Sequence, residues 1–262
     1  WRLPPCIQPG HVAAQGAAPR PGTLRVSIVP VPLPVPVCIA AVCVGSVVPY
    51  ARGSRSAIHK FPVSGRVRAM VLGVAGDAQG DLRLHGGLEK AVHHYPREHY
   101  AAWRAELGNH ALLRSPGAFG ENLHGQGLTE STVCLGDRWR AGDALLEVTQ
   151  ARQPCWKLDE RFGLPGMARR LQQSRRTGWY YRVLEEGCLW EGAALVLEHR
   201  PYPQWSIAQL LDLLYGPVLD PAELQAACEL PLPASWLRLL QRRIDTGTVE
   251  DWTPRLDGPR AA

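Results

Sequence analysis

The chain is short of the residues on which several large function classes depend. Its seven cysteines (Cys6, Cys38, Cys43, Cys134, Cys155, Cys188, Cys228) never form a CxxC pair. A zinc ribbon, a thioredoxin-type motif and an iron–sulfur ligand set therefore lack support. An odd, scattered set in 262 residues is also no disulfide framework. The plain reading is reduced thiols filling a core. There is no P-loop, no GxGxxG and no GxSxG; "HGQGLTE" has two glycines in the wrong setting. Lysine is nearly absent. Only Lys60, Lys90 and Lys157 occur, so arginine supplies 26 of the 29 basic residues, a mark of a GC-rich coding bias. No acidic residue precedes Asp77. The net charge of +5 permits an anionic ligand but falls short of the dense basic surface of a nucleic-acid binder.

What is present suits one domain of moderate size plus a small appendage. Residues 1–36 hold nine prolines, and "PVPLPVPV" favours extended backbone over helix. This stretch is read as a disordered extension or an artefact of start-site assignment. The apolar run "VPVCIAAVCVGSVV" brings a signal peptide to mind. It contains Pro36, lacks a compact basic leader and is too short for a membrane span, so a buried strand over residues 37–44 is the better reading. From Tyr50 onward, apolar and polar residues alternate between Gly and Pro breaks, as in the short strands of a barrel or sandwich. "PREHYAAWRAELG" predicts a helix opened by Pro96 and stopped by Gly108, with Tyr100, Trp103 and Leu107 on one stripe. "GDRWRAGDALLEVTQ" predicts a hairpin, "GLPGMARRLQQSRRTG" a short basic helix, and residues 178–200 further strands. After Pro203, three punctuated amphipathic segments predict a small three-helix appendage over about 204–250, following a barrel-like domain over 37–200.

Four polar clusters could carry chemistry. In "DLRLHGGLEKAVHHYPREH", Arg83, His85 and Lys90 flank a Gly pair whose backbone would let an anion approach, although a plain hairpin turn explains it as well. His94, Glu98 and His99 do not make a zincin motif, because Pro96 interrupts the helical face. "GAFGENL" offers Glu121 and Asn122, the latter able to donate to and accept from a heterocycle edge. In "GLTESTVCLGD", Thr129 to Thr132 could cap a helical turn or line a pocket, and capping is the better reading. The fourth, "ARQPCWKLDE", sets Cys155 between Arg152 and Lys157, a cationic setting expected to favour thiolate. A thiolate is a nucleophile or a soft metal ligand, and composition does not choose between them.

In order and spacing, "LHGGLEKAVHHYPREHY", "GAFGENL", "GLTESTVCLGD" and "QPCWKL" closely resemble the MOSC-domain family, in its bacterial YiiM-type branch, from about Val37 to Arg243. The resemblance implies a β-barrel-like domain, mainly β with α, with a three-helix appendage. It also implies binding of the molybdenum cofactor, with Cys155 as the thiolate ligand to molybdenum. Pyridoxal phosphate binding is associated with the family only at family level. Arg83, Lys90, Arg152 and Lys157 would meet the pterin phosphate, while His85, Glu121 and Asn122 would act in or shape the pocket. The implied activity is detoxifying reduction of N-hydroxylated purine bases and hydroxylamines to amines. Electrons would come from a separate flavin-containing reductase or flavodoxin, in the cytoplasm, with no nucleic-acid or membrane partner. The arginines 169, 170, 175 and 176 could dock such a partner, although a solvated charged face explains them better. Family members often carry a small hydroxyl residue before Pro-Cys and Tyr after it; here Gln153 and Trp156 stand there. The alternatives are a cofactor or sulfur carrier without turnover, and a metal-independent cysteine nucleophile.

Overall fold

The computed structural model describes residues 37–80 and 86–258. The Pro-rich extension, Arg83 and His85 lie outside the described residues. In chain order the first strands are β1 (Val37–Val44), β2 (Val48–Pro49), β3 (Arg55–Ser56), β4 (Phe61–Val63), β5 (Val67–Met70), β6 (Gly73–Val74) and β7 (Val92–Pro96). After α1 (Arg97–Leu107) come β8 (Leu123–Gly125), β9 (Arg138–Ala141) and β10 (Ala144–Ala151). Then follow α2 (Lys157–Phe162), α3 (Met167–Ser174), β11 (Trp179–Glu185), β12 (Gly187–Leu189) and β13 (Ala194–His199). Helices α4 (Ile207–Tyr215), α5 (Pro221–Cys228), α6 (Ala234–Thr246) and α7 (Thr253–Asp257) complete the chain.

The main sheet runs β13-β9-β10-β11-β7-β8-β1-β4. It closes on itself because β1 also pairs with β13, at Val37↔Leu195 and Cys38↔Ala194. Seven strands thus form a barrel, and β4 hangs on the far end of β1. Closure leaves the ring without an edge to protect. Every pairing in the ring is antiparallel except β7 with β8, whose connection carries α1 across the outer wall.

Alternation along these strands builds two apolar clusters. Val92, Trp179 and Tyr181 face the barrel interior, together with Ile39, Leu146 and Val148. The intervening Tyr95 faces outward and joins Tyr100 and Trp103 of α1, Phe119, Leu158 and Phe162 of α2, and Leu171 of α3. The helix predicted over residues 96–108 is α1, and Gly108 follows its last residue. The interior cluster does not stop at the barrel. It continues through Leu210 and Leu214 of α4, Leu224 of α5, and Trp236 and Leu240 of α6. Helix α4 begins in a capping box, in which Ser206 and Gln209 satisfy each other's backbone N–H groups.

Candidate functional site

The same alternation that sends Tyr181 inward sends His93 and Tyr180 out, onto a cavity against the outer barrel wall. Four segments complete it: Ser56–Lys60, Asp77–Gly80, Phe119–Asn122 and the loop after β10 that carries Arg152, Cys155 and Lys157. Lys90 enters from a one-turn 3₁₀ helix, Leu88–Lys90, opened by Gly87. Of the eight residues singled out from sequence, Cys155, Asn122, Lys90, Arg152 and Lys157 line this one cavity.

Lys60 and Asp77, which motif reading missed, form a buried ion pair at its floor. Asp77 also accepts from the Gly45 backbone N–H and from Asn122 Nδ2, both at 2.8 Å. Asn122 is therefore fixed by the floor: Nδ2 also donates to the Cys43 carbonyl at 3.2 Å, and Oδ1 accepts from the His93 N–H at 3.1 Å. Burial pulls the Lys60 ammonium below its ordinary value, and Asp77 opposes that. Lys157 donates to the Arg55 carbonyl at 2.7 Å. Burial, reinforced by the Arg152 charge, pushes the His93 imidazole down to about 3, so the ring is neutral at physiological pH. Arg152 is 6 % exposed, and its Nη1 has no hydrogen-bond partner. A buried guanidinium nitrogen without an acceptor is costly, and an anionic ligand is the natural way to satisfy it.

Glu121 does not reach the cavity wall. Its carboxylate accepts from the Tyr100 hydroxyl at 2.5 Å and from the backbone N–H groups of Gly117 and Phe119 at 2.8 and 3.0 Å. It shapes the loop that supplies Phe119, Gly120 and Asn122, so the direct chemical part expected of it has no geometric counterpart. Gly117 is required there: its φ is +93°, and a Cβ would lie 2.3 Å from the Lys60 carbonyl oxygen. Burial alone would raise the Glu121 carboxyl, but the His124 ring 3.4 Å away and hydrogen bonds from Tyr100 and Gly117 hold it at about 2.

The remaining candidates take structural places. Glu98 accepts from the Gly127 N–H at 2.6 Å, His99 bonds Glu130 at 2.7 Å, and His94 stacks on Trp179 with centroids 4.4 Å apart. The Thr129–Thr132 segment is a turn closed by its own hydroxyls. No group of three or more potential metal-binding His, Cys, Asp or Glu occurs among the described residues. On α3 and just after it, Arg169, Arg175 and Arg176 pair with Asp257, Asp212 and Glu106, which leaves little free charge for docking. Trp156 lies under the Arg52 guanidinium, 4.7 Å from ring to carbon, and is not among the cavity-lining residues. No described helix is long and apolar enough to cross a membrane.

Comparison with known proteins agrees with this architecture. The sequence profile of the MOSC domain matches residues 81–196, and that of the YiiM-like 3-alpha helix domain matches residues 205–247. Protein YiiM of Escherichia coli (strain K12) is 37% identical over 214 residues, which cover 82% of this chain and 96% of that protein. The chain belongs to the MOSC-domain family. Its YiiM-type branch is marked by the helical segment, which aligns along with the barrel. The crystal structure of YiiM from Escherichia coli superposes with a TM-score of 0.70 at 32% identity, covering 87% of this chain and 100% of that one. A protein named "Reductase" from Gibberella moniliformis is 37% identical over 190 residues, 72% of this chain but 34% of that longer protein. Against this MOSC barrel, the motif residues that cluster are those around Cys155.

Proposed function

We propose that this protein is a molybdenum-cofactor-dependent reductase that converts N-hydroxylated bases and hydroxylamines to amines. The observation that carries the reading is the convergence, on one cavity, of a thiol with four cationic side chains. Reductase activity in a relative, by its name, adds to it.

The residues fit the group. Cys155 would supply the soft ligand to molybdenum. Arg152, with its unsatisfied Nη1, would take the pterin phosphate together with Lys90 and Lys157; charge-assisted bonds of this kind contribute roughly 1.5–3 kcal/mol each. Phe119, Ile58 and Tyr180 offer flat or apolar surface to a ring system. When bound, the molybdenum supplies two-electron oxygen-transfer chemistry that no side chain can.

The net reaction consumes R–NHOH, two electrons and two protons and yields R–NH2 and water. Asn122, whose two amide hydrogens are spent on Asp77 and the Cys43 carbonyl, would hold the cavity floor rigid beneath a heterocycle rather than donate to it. Neutral His93 offers a ring that neither repels nor competes with the cationic wall. Arg83 and His85 belong to the same reading through the motif they share with Lys90. The chain shows no flavin or iron–sulfur fingerprint, so a separate flavin-containing reductase or flavodoxin would deliver the electrons in the cytoplasm, where thiols stay reduced.

The test is elemental analysis of molybdenum in protein from a cofactor-competent host, wild type beside Cys155→Ala. Near-stoichiometric metal is expected in the wild type, with metal or its thiolate-to-metal absorption lost in the variant. Turnover of an N-hydroxylated purine with a chemical or flavin electron donor should then vanish in Cys155→Ala. Molybdenum absent from the wild type, while another molybdoenzyme of the same host is loaded, would sink the reading. Loaded protein that never turns over would make it a carrier.

A further inference from the structure

Between the end of β10 at Ala151 and the start of α2 at Lys157, the loop carrying Cys155 has no strand ladder to hold it. From the barrel wall the Gly178 carbonyl accepts from the Arg152 N–H at 3.0 Å, and the first turn of α2 bonds the Cys155 and Trp156 carbonyls through the Leu158 and Asp159 N–H groups at 3.0 Å each. Further bonds come from the far end of the chain. Arg255 in α7 donates Nε to the Pro154 carbonyl at 2.9 Å and Nη2 to the Gln153 carbonyl at 3.0 Å. In return, the Trp156 N–H donates to the Arg255 carbonyl at 3.1 Å. The two carbonyls just before Cys155 and the amide just after it are therefore all bonded by one residue, 101 positions beyond Pro154.

That residue is itself tightly placed. Leu256 is 2 % exposed in the outer apolar cluster, and Trp252 meets Tyr215 edge-on with centroids 5.0 Å apart. The Asp257 carbonyl accepts from Arg52 Nη1 at 2.6 Å. Gly258, with φ at +69°, lies so close to the Trp156 indole that a Cβ would be 2.5 Å from it. Residues 252–258 themselves lie beyond residue 247, where the match to the three-helix profile ends.

We infer that Arg255 is a positioning residue for the Cys155 thiol, and that residues 252–258 form a strap that sets where this thiol points into the cavity. The strap acts through main-chain carbonyls of residues 153 and 154, so it is indifferent to the Gln153 side chain. It suits a guanidinium, whose planar fork reaches two acceptors at once where an ammonium serves one. The inference rests on Cys155 being the functional thiol, as proposed above.

The test reads the thiol rather than turnover. In the full chain, made in a host that lacks the molybdenum cofactor, alkylation of Cys155 by iodoacetamide is followed by mass spectrometry. Exposed Cys38, on β1, serves as the internal reference. Arg255→Ala should alkylate at Cys155 about tenfold faster, the opening expected when a loop loses two hydrogen bonds to a charged group. Cys38 should be unchanged, amide exchange should quicken at residues 153–157, and Arg255→Lys should fall between the two. Should Arg255→Ala not fold, Gly258→Ala, which displaces Trp156, is read in the same way. Rates at Cys155 within twofold of wild type, with unchanged exchange, overturn the strap. A rise shared equally by Cys38 and Cys155 overturns it too, because that is general loosening. The readout needs no metal, so absence of molybdenum in wild type defeats the cofactor reading and leaves the strap standing.

Discussion

Glu121 shows how a single buried carboxylate fixes a functional loop without touching a ligand. Two backbone N–H groups and the Tyr100 hydroxyl converge on it, and its side chain is fully buried. A carboxyl held at about 2 in the native state, against an ordinary value of 4.5, stabilises the fold at any pH above about 4.5. That contribution drains away as the pH falls from about 4.5 toward 2. Urea unfolding at pH 7, 4 and 3 should show the decline in wild type. Glu121→Gln should flatten that part of the profile and cost roughly 2–3 kcal/mol at pH 7. An unchanged acid slope in the variant would show that other groups set it. The sequence marked this residue, but not its task, because motif position carries no information on which way a side chain turns. The reverse holds for Lys60 and Asp77. No motif flags them, yet one is among three lysines in an arginine-rich chain and the other is the first acidic residue of the sequence. Tyr180 had no signal beyond its place in an alternating strand.

Among the elements, those with a local period were legible: β1, α1, the β9–β10 hairpin, α3 and the helices α4 to α6. Those defined by distant partners were not. The parallel β7–β8 pair, the five-residue α7 and the six-residue α2 owe their form to packing, and segments so short carry too little periodicity to read. Arg243 is the clearest example of a distant partner. It is 1 % exposed on α6, donates to the Leu213 and Leu214 carbonyls at the end of α4 at 2.7 Å each, and pairs with Glu250 at 2.6 Å. A buried guanidinium thus caps a neighbouring helix's C-terminus, where the helix dipole favours positive charge. Arg243→Ala leaves Glu250 and both carbonyls unserved and should cost about 3–5 kcal/mol. In a thermal melt the midpoint should fall by about 10 °C. Arg243→Lys should recover only part of that, and a full recovery would show that charge alone suffices.

Across the whole molecule, the barrel and the helices share one apolar interior, so the segment after Pro203 is more than an appendage. A chain ending near residue 203 would bare the barrel surfaces that Leu210, Leu214, Trp236 and Leu240 cover. Each such side chain contributes about 1.5–3 kcal/mol by burial, and a domain's net stability is only about 5–15 kcal/mol. Residues 37–203 expressed alone should therefore aggregate, or lack the near-UV dichroism of a packed core. A monomeric, cooperatively unfolding product in size exclusion and urea titration would contradict this. The barrel's closure was implied by resemblance alone, since the β1–β13 contact joins residues at opposite ends of the sheet and leaves no local trace.

The lysines have a practical consequence for protein chemistry. All three side-chain amines of the chain lie around one cavity, and Lys60 and Lys157 are nearly buried there while Lys90 is half exposed. An acylating reagent aimed at amines, which decorates most proteins at random, would find on this one a single address besides the chain's terminal amine. Amine coupling to a resin or dye would consequently either fail or block the cavity, and the protection a bound anion gives Lys90 would report its occupancy directly.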